Sequence, residues 1–235
     1  MVVLAGGLAT RMRPITSTIP KSMIEVAGEP FVAHQLRLFR RQGIKHVVLC
    51  VGYLSEIIEA YVGDGRAFGL DVVYSPDGEK LLGTGGAVRK ALPHLGDEFL
   101  LIYGDSYLDI SYRDVVEAFH ASGRPALMTV LHNRGRWDTS NIEFEKQRIL
   151  AYSKQPTARM EHIDYGLSML KAQVFDGLPV DDTFDLAALY RNLIENGNMA
   201  GYEVDRRFYE IGSPSGLAEI DQYLSTQHSQ RRGNP

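Results

Sequence analysis

Val2-Val3-Leu4-Ala5-Gly6-Gly7-Leu8-Ala9-Thr10-Arg11-Met12-Arg13-Pro14 runs from an apolar strand directly into a glycine pair and then into two arginines. Glycines at positions 6 and 7 let backbone N–H groups approach an anion with no side chain between. Arg11 and Arg13 follow within one turn, and Lys21 comes after the proline of Ile19-Pro20-Lys21. Arginine offers a bidentate fork and lysine a point charge, so three cations can converge on one polyanion. The spacing fits neither the Walker loop nor the dinucleotide fingerprint. Taken alone, the stretch is either a phosphate cradle or a plain turn.

Outward from this opening, short β-branched runs alternate with segments of helical period. Val2 to Leu4, His46 to Val51 and Asp71 to Tyr74 read as strands; Phe31 to Phe39, Ile57 to Val62 and Ala87 to Leu92 read as helices. This alternation predicts an α/β chain with parallel strands joined by helices. Phe99 to Tyr103 is apolar on both faces, which places it at the centre of a covered sheet. Ala126 to Leu131 continues the pattern. Asn141 to Glu145, Ile149 to Tyr152 and Tyr165 to Leu170, separated by polar turns, predict a hairpin-rich patch beside the main sheet. Asp185 caps an expected helix from Leu186 to Glu195 that ends at Gly197, and Pro214 starts another to about Tyr223. The expected organisation is one domain over residues 1–225, with a disordered polar tail over 226–235.

Composition narrows the function. The 235 residues are 44% hydrophobic and 23% charged, with net charge −4, so no overall field attracts a nucleic acid. The single cysteine, Cys50, lies in an apolar run and reads as a core residue in a reduced, cytoplasmic setting. No stretch has the length of a membrane span, and the start lacks the basic region of a signal peptide. The seven histidines show no metal-ligand spacing, and none has an evident Ser or Cys partner for a hydrolytic triad. Asp105 follows the apolar strand and a glycine, at the carboxyl end where open α/β sheets bind ligands. A hard cation such as Mg²⁺ there needs a second carboxylate, and Asp109 is within reach along the chain.

Leu4 to Pro14 with Pro20-Lys21 resembles the signature of the sugar-phosphate nucleotidyltransferases. Val51-Gly52-Tyr53, Phe68-Gly69-Leu70, Leu82-Gly83-Thr84-Gly85-Gly86-Ala87 and Tyr103-Gly104-Asp105 are similar to further family elements in the same order. The resemblance implies a Rossmann-like, mixed but mostly parallel sheet with flanking helices and a small sugar-binding patch. It implies that Arg11 and Lys21 bind the phosphates, that Leu4, Ala5, Gly6 and Gly7 cradle them, and that Gly83, Thr84 and Gly85 meet the nucleotide. Thr84 also reads as a helix N-cap. Phe208 to Pro214 is similar to a segment whose acidic residue, here Glu210, joins Asp105 on Mg²⁺. On the sugar side the resemblance points to Tyr103, Gly104, Asn141, Lys154, Asp164 and Gly166. Arg134, Arg136 and Trp137 either line a pocket mouth or are solvated. Three positions depart from the family pattern: Ala9 for glycine, Ser153 for glutamate and Glu210 for aspartate.

The implied reaction joins a nucleoside triphosphate and a sugar 1-phosphate with release of pyrophosphate, in the making of nucleotide sugars for cell-envelope polysaccharide. The glycine loop with Val51-Gly52-Tyr53 is most similar to the D-glycero-D-manno-heptose 1-phosphate guanylyltransferase branch, hence GTP and a heptose phosphate. Two alternatives stay open: a uridylyltransferase for a hexose or amino-sugar phosphate, and a nucleotide-sensing subunit that has lost catalysis. Only a helix and tail follow Glu210, which predicts a single-domain member. The sequence gives no oligomeric state.

Overall fold

The computed structural model describes residues 1–180 and 182–232, without the side chains of 228–232. Its strands are β1 (Val2–Leu4), β2 (Glu25–Val26), β3 (Glu29–Pro30), β4 (His46–Val51), β5 (Asp71–Pro76), β6 (Glu98–Tyr103), β7 (Ser106–Tyr107), β8 (Ala126–His132), β9 (Ile142–Glu145), β10 (Arg148–Tyr152), β11 (His162–Lys171), β12 (Met199–Val204) and β13 (Tyr209–Glu210). Its helices are α1 (Phe31–Arg41), α2 (Ser55–Val62), α3 (Gly83–Ala91), α4 (Tyr112–Ser122), α5 (Leu186–Glu195) and α6 (Pro214–Arg232).

Nine strands form one mixed sheet in the order β5-β4-β1-β6-β11-β8-β12-β10-β9. β1, β4, β5 and β6 are mutually parallel, and β12 is parallel to β8. β11 is antiparallel to both neighbours, which leaves β8 and β12 running with the first four. The predominance of one direction thus agrees with the expected α/β fold. Alternation explains the doubly apolar runs. Val3, Leu49 and Ile102 pack on one face with α1, α2 and α4, whereas Val2, Val48 and Leu101 pack on the other with α3 and α5. Cys50 lies on the second face, buried, with burial pushing its thiol far above the usual range. No described helix is long and apolar enough to cross a membrane.

Three expectations need correction. The segment around Tyr165 to Leu170 is not part of a side patch but lies in the sheet centre as β11, almost wholly buried, with Tyr165, Leu167 and Met169 in the core on one face and the Ser168 hydroxyl accepting from the buried Tyr190 hydroxyl on the other. Only β9 and β10 form the edge hairpin. α6 continues past Tyr223 to Arg232, so the start of the expected tail is helical; Ile220 and Leu224 anchor the helix on Val26, Phe31 and Tyr107. Residues 233–235 of that tail lie outside the described residues. α3 starts at Gly83 with Leu82, not Thr84, at its N-cap. By contrast, α5 spans the expected residues, with the Asp185 carboxylate accepting from Ala187 N–H.

Candidate active site

β1 lies between β4 and β6, so chain order reverses there and leaves a crevice at the carboxyl ends. Leu4 is in register with Cys50 and Tyr103, and the three loops that follow meet backbone to backbone. A Cβ on Gly104 would lie 2.8 Å from the Leu4 carbonyl oxygen, and one on Gly52 would lie 2.8 Å from that of Gly6. The glycines of Val51-Gly52-Tyr53 and Tyr103-Gly104-Asp105 are therefore needed for close approach of these loops.

A cleft of about 250 Å³ opens here, lined by Leu4, Ala5, Gly6 and Gly7 together with Lys21, Gly83, Thr84, Gly104 and Asp105. Beside it, a second cavity of about 400 Å³ is lined by Arg11, Asn141, Asp164, Gly166 and Glu210. Tyr103 and Asp105 line both, so the cavities meet at the end of β6.

Lys21 Nζ donates to Asp105 Oδ2 at 2.7 Å at this junction. Glu210 reaches it through the two-stranded pairing of β13 with β7, which sets Glu210 opposite Ser106, and Ile211 N–H donates to the Asp105 carbonyl. Burial raises the Glu210 pKa and the Asp105 charge adds to the effect, opposed by Arg11 and Lys21. Two carboxylates that repel one another in a half-buried, oxygen-rich corner suit a hard divalent cation, whose charge would remove that cost. Asp109 is elsewhere: it accepts from the Tyr223 hydroxyl, pairs with Arg206, and lines a separate cavity of about 950 Å³ together with Arg134, Arg136 and Trp137. That cavity is the largest of the cavities described above but holds neither the glycine loop nor the carboxylate pair. Trp137 lies there under the Arg207 guanidinium, 4.1 Å away.

Other expected residues are placed less directly. Gly85 is turned from the cleft, its N–H donating to the Phe184 carbonyl and its Cα against the Phe184 ring. Thr84 caps α5 rather than its own helix, its hydroxyl accepting from Leu186 N–H and donating to Asp185. Lys154 pairs with the same Asp185 at 3.5 Å and is exposed. Asn141 accepts from Asp164 N–H, and Gly166 N–H returns to Asp164 Oδ1, which shapes a bulge where Gly166 takes φ 96°. Burial lifts Asp164 to about 6.

Sequence reasoning missed Gln35, Asp77 and Ser22. The buried Gln35 amide donates to the carbonyls of Tyr103 and Ser106 and so fixes the turn carrying Asp105. Asp77 is buried in the cleft wall and accepts from Leu82 N–H. Ser22 lines the cleft beside Lys21 with a buried hydroxyl that has no protein partner. Each comes from a different segment with no signal of its own: Gln35 stands between His34 and Arg37 in α1, where a polar residue is ordinary.

Residues 1–227 match the nucleotidyl transferase family. The chain belongs to that family. UTP–glucose-1-phosphate uridylyltransferase of Synechocystis is 29% identical over 83% of this chain, which spans only 55% of that relative. D-glycero-alpha-D-manno-heptose 1-phosphate guanylyltransferase of Campylobacter jejuni is 26% identical over 91% of this chain and 94% of the relative. HddC from Yersinia pseudotuberculosis, solved in complex with GMP-PN, superposes with a TM-score of 0.80 at 20% identity over 95% of this chain and 98% of that one, a likeness of fold. In this nucleotidyltransferase, the residues expected at the phosphates and at the carboxylate pair are thus drawn from four separate segments to one junction.

Proposed function

We propose that this nucleotidyltransferase moves a nucleoside monophosphate from a nucleoside triphosphate to a sugar 1-phosphate, forming a nucleotide sugar and pyrophosphate. The carrying observation is the meeting of Lys21, Arg11, Asp105 and Glu210 between two cavities, one behind a glycine loop and one lined by hydroxyl-binding groups. The triphosphate occupies the glycine-loop cleft and the sugar phosphate the cavity of Asn141 and Asp164. A phosphate oxygen of the sugar 1-phosphate attacks the α-phosphorus as the bond to the β-phosphate bridging oxygen breaks. The nucleophile is already anionic at neutral pH, so no general base is required.

What the site must overcome is repulsion between two polyanions. Lys21 and Arg11 offset that charge, and the backbone N–H groups of the loop hold the triphosphate in line. Mg²⁺ held by Asp105 and Glu210 would neutralise charge on the phosphate oxygens. We assign GTP as donor and a heptose 1-phosphate as acceptor. The buried Asp77 carboxylate supports guanine, which offers two adjacent N–H donors where uracil offers one, and the likeness to the Campylobacter guanylyltransferase supports the pair. Uridylyl transfer to a hexose or amino-sugar phosphate is the competing reading, favoured by the likeness to the Synechocystis enzyme. Pyrophosphate release from the four nucleoside triphosphates, each with heptose, hexose and amino-sugar 1-phosphates and Mg²⁺, separates them. Turnover with GTP and a heptose phosphate is expected; release from no pair would replace catalysis by nucleotide sensing.

A further inference from the structure

His132 ends β8, His162 begins β11, and the two are directly paired across the antiparallel ladder. Glu203 comes from β12 on the other side of β8, in register with Val130. The residues are far apart in sequence, which is why no ligand spacing shows; strand register alone assembles them. The two imidazoles stack with centroids 4.9 Å apart and planes inclined by 20°. His162 Nε2 is 3.3 Å from Glu203 Oε1, and His132 Nε2 is 3.8 Å from Glu161 Oε2. One donor atom from each of His132, His162 and Glu203 falls within 4.8 Å of the others, among the described residues.

We propose that His132, His162 and Glu203 form a second metal site, for a borderline divalent ion of the Zn²⁺ class, with Glu161 available as the fourth ligand. Bonds of about 2.0–2.2 Å in a tetrahedron place ligand atoms roughly 3.3–3.5 Å apart. The His162–Glu203 separation already has that value, and small side-chain rotations bring in the His132 ring. Two neutral imidazoles with carboxylates select Zn²⁺, Co²⁺ or Ni²⁺ over Mg²⁺, which demands oxygen. The chemistry therefore separates this site from the all-carboxylate pair of Asp105 and Glu210. Phe144, edge-on to His162 at 5.0 Å, supplies an apolar wall.

The position gives the ion a use. His132 precedes the loop 133–141, and His162 receives its far end, because Asn141 N–H donates to the His162 carbonyl. Asn133 N–H donates to the Glu161 carbonyl, and the Asn133 side chain binds the Asp138 carbonyl and Trp137 N–H. Asp138, Thr139 and Asn141 of this loop line the cavity beside Asp105. An ion joining His132 to His162 and Glu203 clamps both roots of the loop. It is a positioning device and makes no contact with the reacting atoms.

The test is titration of chelator-treated full-length chain with Co²⁺ in excess Mg²⁺, followed by visible absorption, with Zn²⁺ displacement and thermal melting alongside. One equivalent of Co²⁺ should give the intense visible bands of a four-coordinate site, Zn²⁺ should abolish them, and either ion should raise the melting temperature. His132→Ala and Glu203→Gln should each weaken binding by at least about tenfold and remove the thermal shift, with the far-ultraviolet circular dichroism unchanged. His162 is buried, so the partly exposed His132 and the exposed Glu203 carry the test without risk to the core. Absence of the four-coordinate spectrum at millimolar Co²⁺, or Co²⁺ and Zn²⁺ effects identical in wild type and both variants, overturns the proposal.

Discussion

Lys21 Nζ and Asp105 Oδ2 are 2.7 Å apart, although 84 residues separate them, and both side chains are only partly exposed. Lys21 comes from the turn after the glycine loop and Asp105 from the loop at the end of β6, so the ion pair ties two parts of the candidate site. A pair this close to solvent adds little to stability, about 0–1 kcal/mol. In the proposed reaction its worth lies in holding a cation where negative charge gathers during transfer. Lys21→Met should therefore lower kcat by about a hundredfold or more while shifting the melting temperature by no more than a few degrees. Steady-state pyrophosphate release and a thermal melt on the same sample check both halves. A variant with wild-type kcat would remove Lys21 from the transfer step.

Asp77 tests the base assignment. Its carboxylate is buried in the cleft and retains Leu82 N–H as one partner. Asparagine keeps that contact through its oxygen but offers an N–H₂ where guanine also offers N–H. Asp77→Asn should raise the KM for GTP by about tenfold to a hundredfold, with kcat changed much less. The same measurement with UTP should show the smaller change. Equal losses for both nucleotides would mean that Asp77 shapes the wall and does not read the base.

Legibility followed the length scale of the interaction. The opening loop, Lys21 and Asp105 could be read because each sits in a local pattern: strand into glycine pair, proline before lysine, apolar strand before aspartate. α5 could be read to the residue because its cap, Asp185, and its stop, Gly197, are local chemistry. The place of β11 is not legible because Gly166 and Ser168 alternate with Tyr165, Leu167 and Met169, as in a strand with one face to solvent; only pairing with β6 and β8 decides. Thr84 shows the same limit, since the helix it caps begins 102 residues later. Gln35 and the His132–His162–Glu203 group exist only through packing and register, so no window of sequence contains them.

Asp164 gives a pH signature. Burial raises its carboxyl from an ordinary 3.8 to about 6. Below about pH 3 the group is protonated in both folded and unfolded chains and contributes no difference. Between 4 and 6 the unfolded chain releases the proton first, so stability falls as pH rises; above 6 the folded chain carries the whole cost of the buried charge, about 3 kcal/mol at most. Asp164→Asn removes that cost and keeps an oxygen for Gly166 N–H. Its melting temperature should exceed wild type at pH 7.5 by several degrees and match it near pH 3. A difference of equal size at both values would assign the effect to packing rather than ionisation.

Ala9 sits at φ 48°, ψ 40°, in the left-handed region, at the turn that leads into Thr10–Met12. Its carbonyl accepts from Met12 N–H and from the buried Thr16 hydroxyl, so the surrounding turn holds it there. A side chain in this conformation costs about 1–2 kcal/mol. Glycine relieves the strain but gains freedom in the unfolded chain, an opposing 0.4–1 kcal/mol or so. The relief is at least as large, so Ala9→Gly should leave the chain equally stable or stabilise it by up to about 1.6 kcal/mol. The loop itself becomes easier to deform, and the KM for the nucleoside triphosphate should change by no more than about threefold, because Ala9 contributes backbone shape and no charge to the cleft. Denaturant unfolding and a triphosphate titration measure the two. A destabilised Ala9→Gly chain would show that the methyl group packs favourably enough to outweigh its backbone strain.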